Sequence, residues 1–257
     1  MAENWRSLRV EGITLRHKDW GEADRLLSIF TRELGKVQAI AKGVRKPRSR
    51  KAGHLEPFMR ASMLLARGRS FFILTQAEAI DAHIPLREDL TLLGRASYLA
   101  ELLDRFTFEE EANPALYRLM QHSLTRLERG DHPAAVLHFF EMRLLDQVGY
   151  RPQLQRCGLC GQEIRPQNQF FSAAHGSALC PACGEKEPQA RPVSLQALKY
   201  LRHFQRSTYA EARRARFAPA TLAEVEALMY YYLTYLLESS LHSPAFIQRI
   251  RQHKSRR

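Results

Sequence analysis

The chain has 257 residues, 45% of them hydrophobic and 26% charged, which allows one large domain or two to three small ones with real cores. It has no apolar run of roughly eighteen residues, which excludes a transmembrane helix. Met1-Ala2-Glu3-Asn4-Trp5 lacks the apolar stretch of a signal peptide, so the cytoplasm is the expected compartment. The net charge is +12 and the pI about 9.9, and residues 1–80 hold 16 Lys and Arg against 8 Asp and Glu. An excess so concentrated points to a polyanionic partner for the first third of the chain.

Residues 7 to 80 read as strands. Leu8 and Val10 alternate with Arg9 and Glu11. After Gly12 the alternation resumes in the other phase at Ile13 and Leu15, which predicts a bulge at that glycine. Leu26-Leu27-Ser28-Ile29-Phe30, Val37-Gln38-Ala39-Ile40-Ala41, Met59–Ala66 and Phe71–Thr75 follow, separated by turns. Five short strands in this rhythm suggest a small closed barrel, typically an OB-fold.

No acidic residue occurs from Leu34 to Leu55, a stretch that contains Lys42, Arg45, Lys46, Arg48, Arg50 and Lys51. With Gly43, Pro47 and Gly53 inside it, the loop is expected to stay unpacked and mobile. It reads either as a solvated charge run or as an arm that neutralises phosphates on a nucleic-acid-binding barrel. Arg16 and Arg25 would extend that groove. Trp20, Phe30, Phe58, Phe71 and Phe72 are candidate stacking residues. Trp20, within a polar stretch, is the one expected on the surface.

From Pro85 the hydrophobic period becomes helical. Tyr98, Leu99, Leu102, Leu103 and Phe106 share a face. Asn113 and Pro114 start a helix with Tyr117, Met120, Leu124 and Leu127 along one stripe. Pro133 sits in the first turn of the next helix, whose expected inner face is Leu137, Phe140, Leu144, Leu145 and Val148, with Gly149 at its end. Ser194 opens another helix. Thr221 and Glu224 have the spacing of a capping box for a long final helix. It carries Tyr230, Tyr231 and Tyr232, of which at most one or two can face inward. The basic tail from Arg249 to Arg257 is expected to fray. The organisation expected is a barrel at 1–80 and a helical domain at 81–257, interrupted by a module at about 151–190.

That module holds all four cysteines, as Cys157-Gly158-Leu159-Cys160 and Cys180-Pro181-Ala182-Cys183. Two C-x₂-C turns across such a gap can close four thiolates around one ion. A structural zinc is favoured over two disulfides, because nothing points to an oxidising compartment. Catalytic zinc usually keeps a position open and has three protein ligands. His175 lies between the knuckles and reads as a loop histidine, not a ligand. Phosphate-binding glycine motifs and metalloprotease motifs are absent, and Glu109-Glu110-Glu111 reads as a solvated edge, so no catalytic residues are assigned.

Several short motifs occur in an informative order: Trp20-Gly21-Glu22, Leu26 to Thr31, Gly35-Lys36, Ala41-Lys42-Gly43-Val44-Arg45, Leu55-Glu56-Pro57-Phe58, and Gly149-Tyr150 before the knuckles. In these the chain resembles the RecO family of bacterial recombination mediators. The resemblance implies an α+β protein: an N-terminal five-stranded OB-fold barrel, then an α-helical domain with an inserted four-cysteine zinc module. It implies a non-enzymatic, nucleoid-associated cytoplasmic protein that binds single- and double-stranded DNA and anneals complementary strands. It also implies partners: RecR, the C-terminal tail of single-strand-binding protein (SSB) and, indirectly, RecA. The alternative is an RNA-binding factor with an OB barrel and a zinc ribbon, because a barrel with a basic loop serves RNA equally well.

Overall fold

The computed structural model describes residues 6–49 and 51–255. Strands β1 (Ser7–Trp20), β2 (Asp24–Thr31), β3 (Gly35–Ala41), β4 (Arg60–Ala66) and β5 (Phe72–Asp81) close into a barrel in the order β1-β2-β3-β5-β4. All neighbours are antiparallel except β3 and β5, which run parallel. This is the expected OB-type barrel. Alternation along the strands fills it: Leu27, Ile29, Val37, Ala39, Met63, Leu65, Phe72 and Leu74 are buried in one core.

The bulge expected at Gly12 lies further along. β1 shifts its register against β2 between Thr14 and Arg16. Gly12 answers instead to packing, since a Cβ there would come 2.7 Å from Ile29 Cγ2. β1 continues to Trp20 and β5 to Asp81, past the point where apolar alternation stops, because β2 and β4 supply backbone partners there.

Helices α1 (Pro85–Glu88), α2 (Leu90–Phe106) and α3 (Pro114–Glu128) follow. The Asp89 carboxylate caps α2 by accepting from Thr91 N and Leu92 N, and Asn113 caps α3 as expected. α2 is tied to the outside of the barrel through Asp104, whose carboxylate accepts from Arg16 Nε and Ser28 Oγ, each at 2.7 Å. The Tyr117 hydroxyl of α3 donates to Glu11 on β1 at 3.0 Å. Because of such contacts, Met1–Asp131 and His242–Arg257 form one compact unit and His132–Leu241 a second. A division at residue 80 falls at the end of β5, whereas by contacts α2 and α3 go with the barrel.

The second unit opens with α4 (Pro133–Gln147). It is buried nearly all round: Val136, His138, Phe139, Glu141 and Met142 are inside as well as Phe140, Leu144 and Leu145, while Leu137 and Val148 are only half-buried. Gly149 takes φ +84° just past its end. Strands β6 (Gln169–Ser172) and β7 (Ser177–Leu179), helical turn α5 (Pro181–Gly184) and strand β8 (Arg191–Val193) build the module, with sheet order β7-β6-β8. Helices α6 (Leu195–Arg206), α7 (Tyr209–Ala212) and α8 (Pro219–Leu236) complete the unit.

Ser194 caps α6 as expected, but the capping box at Thr221 and Glu224 does not form. α8 begins three residues earlier, at Pro219, and the Glu224 carboxylate reaches across to accept from Ser194 N and Ser194 Oγ, both at 2.6 Å. A capping box does occur at Thr208 and Glu211, heading α7. Tyr232 is buried, with its hydroxyl donating to Tyr150 O; Tyr231 donates to Gln189 O; Tyr230 is exposed.

Helix α9 (Ser243–Ser255) returns to the first unit. The Glu101 carboxylate of α2 accepts from His242 N and Ser243 N, each at 2.8 Å. A Cβ on Gly94 would come 3.0 Å from Ile247 Cγ1, so the glycine permits close approach of the two helices. The tail expected to fray is therefore helical to Ser255; Arg256 and Arg257 lie outside the described residues. Among the described residues no helix is long and apolar enough to cross a membrane.

Candidate nucleic-acid interface and metal centre

The basic loop between β3 and β4 is packed, contrary to expectation. Val44 and Leu55 are buried in the barrel core, and a short 3₁₀ turn spans Ala52–His54. Gly43 N donates to Asp24 Oδ1 at 2.7 Å and Arg45 N to Ala23 O at 2.9 Å. Lys51 turns inward, its ammonium donating to Lys42 O and Leu74 O at 3.0 and 3.2 Å. Burial holds its pKa below the usual lysine value, partly offset by Asp24. Apolar anchors thus display the loop's cations.

The predicted cations divide into groups. The side chains of Lys42, Lys46 and Arg48 are exposed, with no hydrogen-bond or ion-pair partner among the described residues. Arg45 is exposed but meets Asp19 at 3.2 Å and Glu22 O at 3.3 Å. Arg25 is half-buried between Glu56 at 2.9 Å and Asp19 at 3.7 Å. Burial opposes ionisation of Glu56, yet Arg25 and His17 outweigh it and hold the carboxyl below its ordinary range. Arg16 is committed to Asp104. Arg50 lies outside the described residues. Of the candidate aromatic residues Phe30, Phe58 and Phe72 are core, Phe71 is half-buried and Trp20 is exposed. Lys18 was not anticipated; its ammonium lies 5.6 Å from the Trp20 ring centroid. The signal was there, since Arg16, Lys18 and Trp20 alternate along β1.

The four cysteines come together in the second unit, their sulfurs all within 4.8 Å of one another. Cys160 Sγ and Cys180 Sγ stand 3.8 Å apart. That matches the edge of a tetrahedron with metal–sulfur bonds of about 2.3 Å, which is about 3.8 Å. The first knuckle is closed by Gly161 N donating to Cys157 O at 2.9 Å, with Gly161 at φ +71°. The second is the single turn α5, with Cys183 N donating to Cys180 O at 3.1 Å. Gly158 and Gly184 are needed for clearance, because a Cβ would collide with Ser177 and with the Phe170 ring respectively.

The electrostatics fit a cation. Burial alone would raise the Cys157 thiol, but the backbone N–H groups of Cys160, Cys180 and Leu159 bring it down to about 6. Hydrogen bonding with Cys180, followed by burial, pushes the Cys183 thiol up to about 12. The Cys157 thiolate is favoured while the Cys160 and Cys183 thiols resist ionisation, a conflict that a central dication removes. The donor set therefore fits a metal ion. His175 pairs with Glu187 at 3.6 Å.

A second group capable of holding a metal, Asp81, His83 and Glu128, lies in the first unit. His83 Nδ1 is 2.6 Å from Glu128 and Nε2 is 3.5 Å from Asp81. The carboxylates flank opposite edges of one ring, Glu128 in hydrogen-bond contact with Nδ1 and Asp81 further off at Nε2, which ties β5 to α3. The distance between these residues in the sequence hid it.

Comparison with known proteins covers almost the whole chain. The family model described as Recombination protein O N terminal matches residues 3–83, and that described as Recombination protein O C terminal matches residues 87–245. The DNA repair protein RecO of Roseiflexus sp. (strain RS-1) is 41% identical over 247 residues, spanning 96% of this chain and 87% of the relative. That of Moorella thermoacetica is 36% identical over 243 residues, spanning 94% and 91%. That of Dehalococcoides mccartyi (strain CBDB1) is 34% identical over 230 residues, spanning 90% of each chain.

Proposed function

The chain belongs to the RecO family, whose role is in DNA repair and recombination, and on that premise we propose that it is a DNA-binding recombination mediator. In this reading it binds single- and double-stranded DNA, anneals complementary strands, and with RecR helps load RecA onto DNA coated by SSB, whose C-terminal tail it contacts. It acts in the cytoplasm at the nucleoid and without a catalytic step of its own. Residues 1–80 supply the nucleic-acid-binding barrel and 81–257 the helical domain, with the metal module at about 151–190. Cys157, Cys160, Cys180 and Cys183 hold one structural zinc ion, the choice that four thiolates favour.

The observation that carries the reading is the display of Lys42, Lys46 and Arg48, exposed and uncommitted, on a loop pinned by Val44, Leu55 and Lys51. Such cations neutralise phosphates and release counterions, so affinity falls with salt and depends little on sequence. Two strands held on one polycationic surface repel each other less, which favours annealing without ATP. Arg45 contributes when a phosphate competes with Asp19. Arg16, Arg25 and Lys51 serve the fold before they serve DNA.

The test is an annealing assay with complementary oligonucleotides coated with SSB, in the absence of ATP. The full chain should accelerate annealing. Reversing Lys42, Lys46 and Arg48 to Glu should remove most of that acceleration and reduce the salt slope of DNA binding by roughly two to three. An unchanged slope would refute the assignment. Tighter binding to matched RNA, with no annealing, would favour the RNA-binding alternative.

A further inference from the structure

The outer side of the barrel is divided in two. Arg16, Ser28 and Lys36 lie opposite the core residues on their strands, and α2 takes all three through Asp104. The other half begins one step along the same strands. Lys18 pairs with Leu26, Leu26 with Ile40, and Ile40 with Ile73, so a single row crosses four strands. These positions are out of phase with Leu27, Ala39, Phe72 and Leu74, which fill the core.

Two aromatic residues from separate turns meet on this side. Trp20 is the last residue of β1, and Phe71 lies in the turn that leads into β5. Their ring centroids are 5.7 Å apart with planes at 75°. Phe71 stands across the indole and fixes its orientation, while 40% of Trp20 remains exposed. Lys18 is beside the indole, and Gly21 at φ +59°, with nothing within 4 Å of a would-be Cβ, leaves the approach at the tip of the β1–β2 hairpin unobstructed.

An exposed indole held by a second ring suits a flat, apolar face arriving from solvent. Unstacked bases present such faces, and their phosphates suit Lys18, Lys42, Lys46 and Arg48. A duplex keeps its base faces inside the stack. An acidic peptide would use the cations but leave the ring pair without a partner. We propose that Trp20 and Phe71 form a base-stacking platform for single-stranded DNA, which lets the barrel distinguish single strands from duplex. This rests on the DNA-binding reading above and adds the mode of contact.

The test titrates the full chain with an oligo-dT strand, an abasic strand of the same length and a duplex, for the unmodified protein and for Trp20→Leu and Trp20→Phe. Trp20→Leu should weaken oligo-dT binding on the order of tenfold. Duplex affinity and the salt slope should stay unchanged, because no phosphate contact is lost. Trp20→Phe should recover most of the loss. The abasic strand should bind the unmodified chain as weakly as oligo-dT binds Trp20→Leu, and Trp20→Leu should not tell the two strands apart.

Equal losses on single strand and duplex, or no loss on oligo-dT, overturn the platform. If Trp20→Leu melts early, the comparison on the unmodified chain decides alone: equal affinity for oligo-dT and abasic strands overturns it. Failure of the underlying reading looks different. It shows as no salt-dependent binding by the unmodified chain, or as no effect from reversing the loop cations, whatever happens at Trp20.

Discussion

His138 shows how one residue records its surroundings. It is fully enclosed on α4, and the Tyr200 hydroxyl lies 2.7 Å from its Nδ1. Burial, with a smaller push from His132, brings its pKa down to about 4, while burial and Glu141 push the Tyr200 hydroxyl up, so Tyr200 donates and neutral His138 accepts. In the unfolded chain a histidine titrates near about 6.5. Between those two values the unfolded chain takes a proton that the fold refuses. The stability is therefore fully present above pH ~6.5 and is lost as pH falls toward ~4, by about 3 kcal/mol. His138→Gln keeps an acceptor for Tyr200 without the titration. Denaturant unfolding of both proteins at neutral and acid pH should show a steeper acid loss for the unmodified chain; parallel losses would contradict the account.

Among the elements, α6 depends on a residue outside itself. The Glu224 carboxylate of α8 accepts from Ser194 N and Oγ at the start of α6. Glu224→Ala leaves that N–H short of a partner and should cost roughly 1–3 kcal/mol in denaturant unfolding, whereas Thr221→Ala should cost much less than a true cap. This pair also marks where the sequence stops being legible. Apolar alternation located the five strands, Asn113 and Ser194 announced their helices, and the cysteine spacing announced the cluster, because each signal is local. The partner of Glu224 is thirty residues away, while its spacing from Thr221 imitates a local motif. The packing of the basic loop is hidden for a related reason. Its charge is visible in composition, but Val44 and Leu55 anchor it only because a barrel is there to receive them. Of the candidate site, the sequence showed which cations exist, and the fold showed that Arg16, Arg25 and Lys51 are already engaged. The meeting of Trp20 with Phe71 joins two distant turns and leaves no trace in either.

At the scale of the whole molecule, charge and metal are separable. The cations of the basic loop belong to the first unit and the four cysteines to the second. Chelation, or Cys157→Ser with Cys183→Ser, should lower the melting temperature of the second unit and release about one zinc per chain. Salt-dependent DNA binding by the barrel should persist, measured in the same samples; its loss alongside the metal would tie the module to DNA. The first unit is also discontinuous in sequence, since α9 supplies Ile247 against Gly94 and is held by Glu101. A ribosome delivers residues in order, so the barrel and α2 emerge long before the helix that covers part of α2. The second unit, His132–Leu241, is contiguous and has all its residues available first. The side of α2 that meets α9 is therefore completed only after every residue of the second unit has been made, although the barrel, closed within Ser7–Asp81, has all its strands from the start.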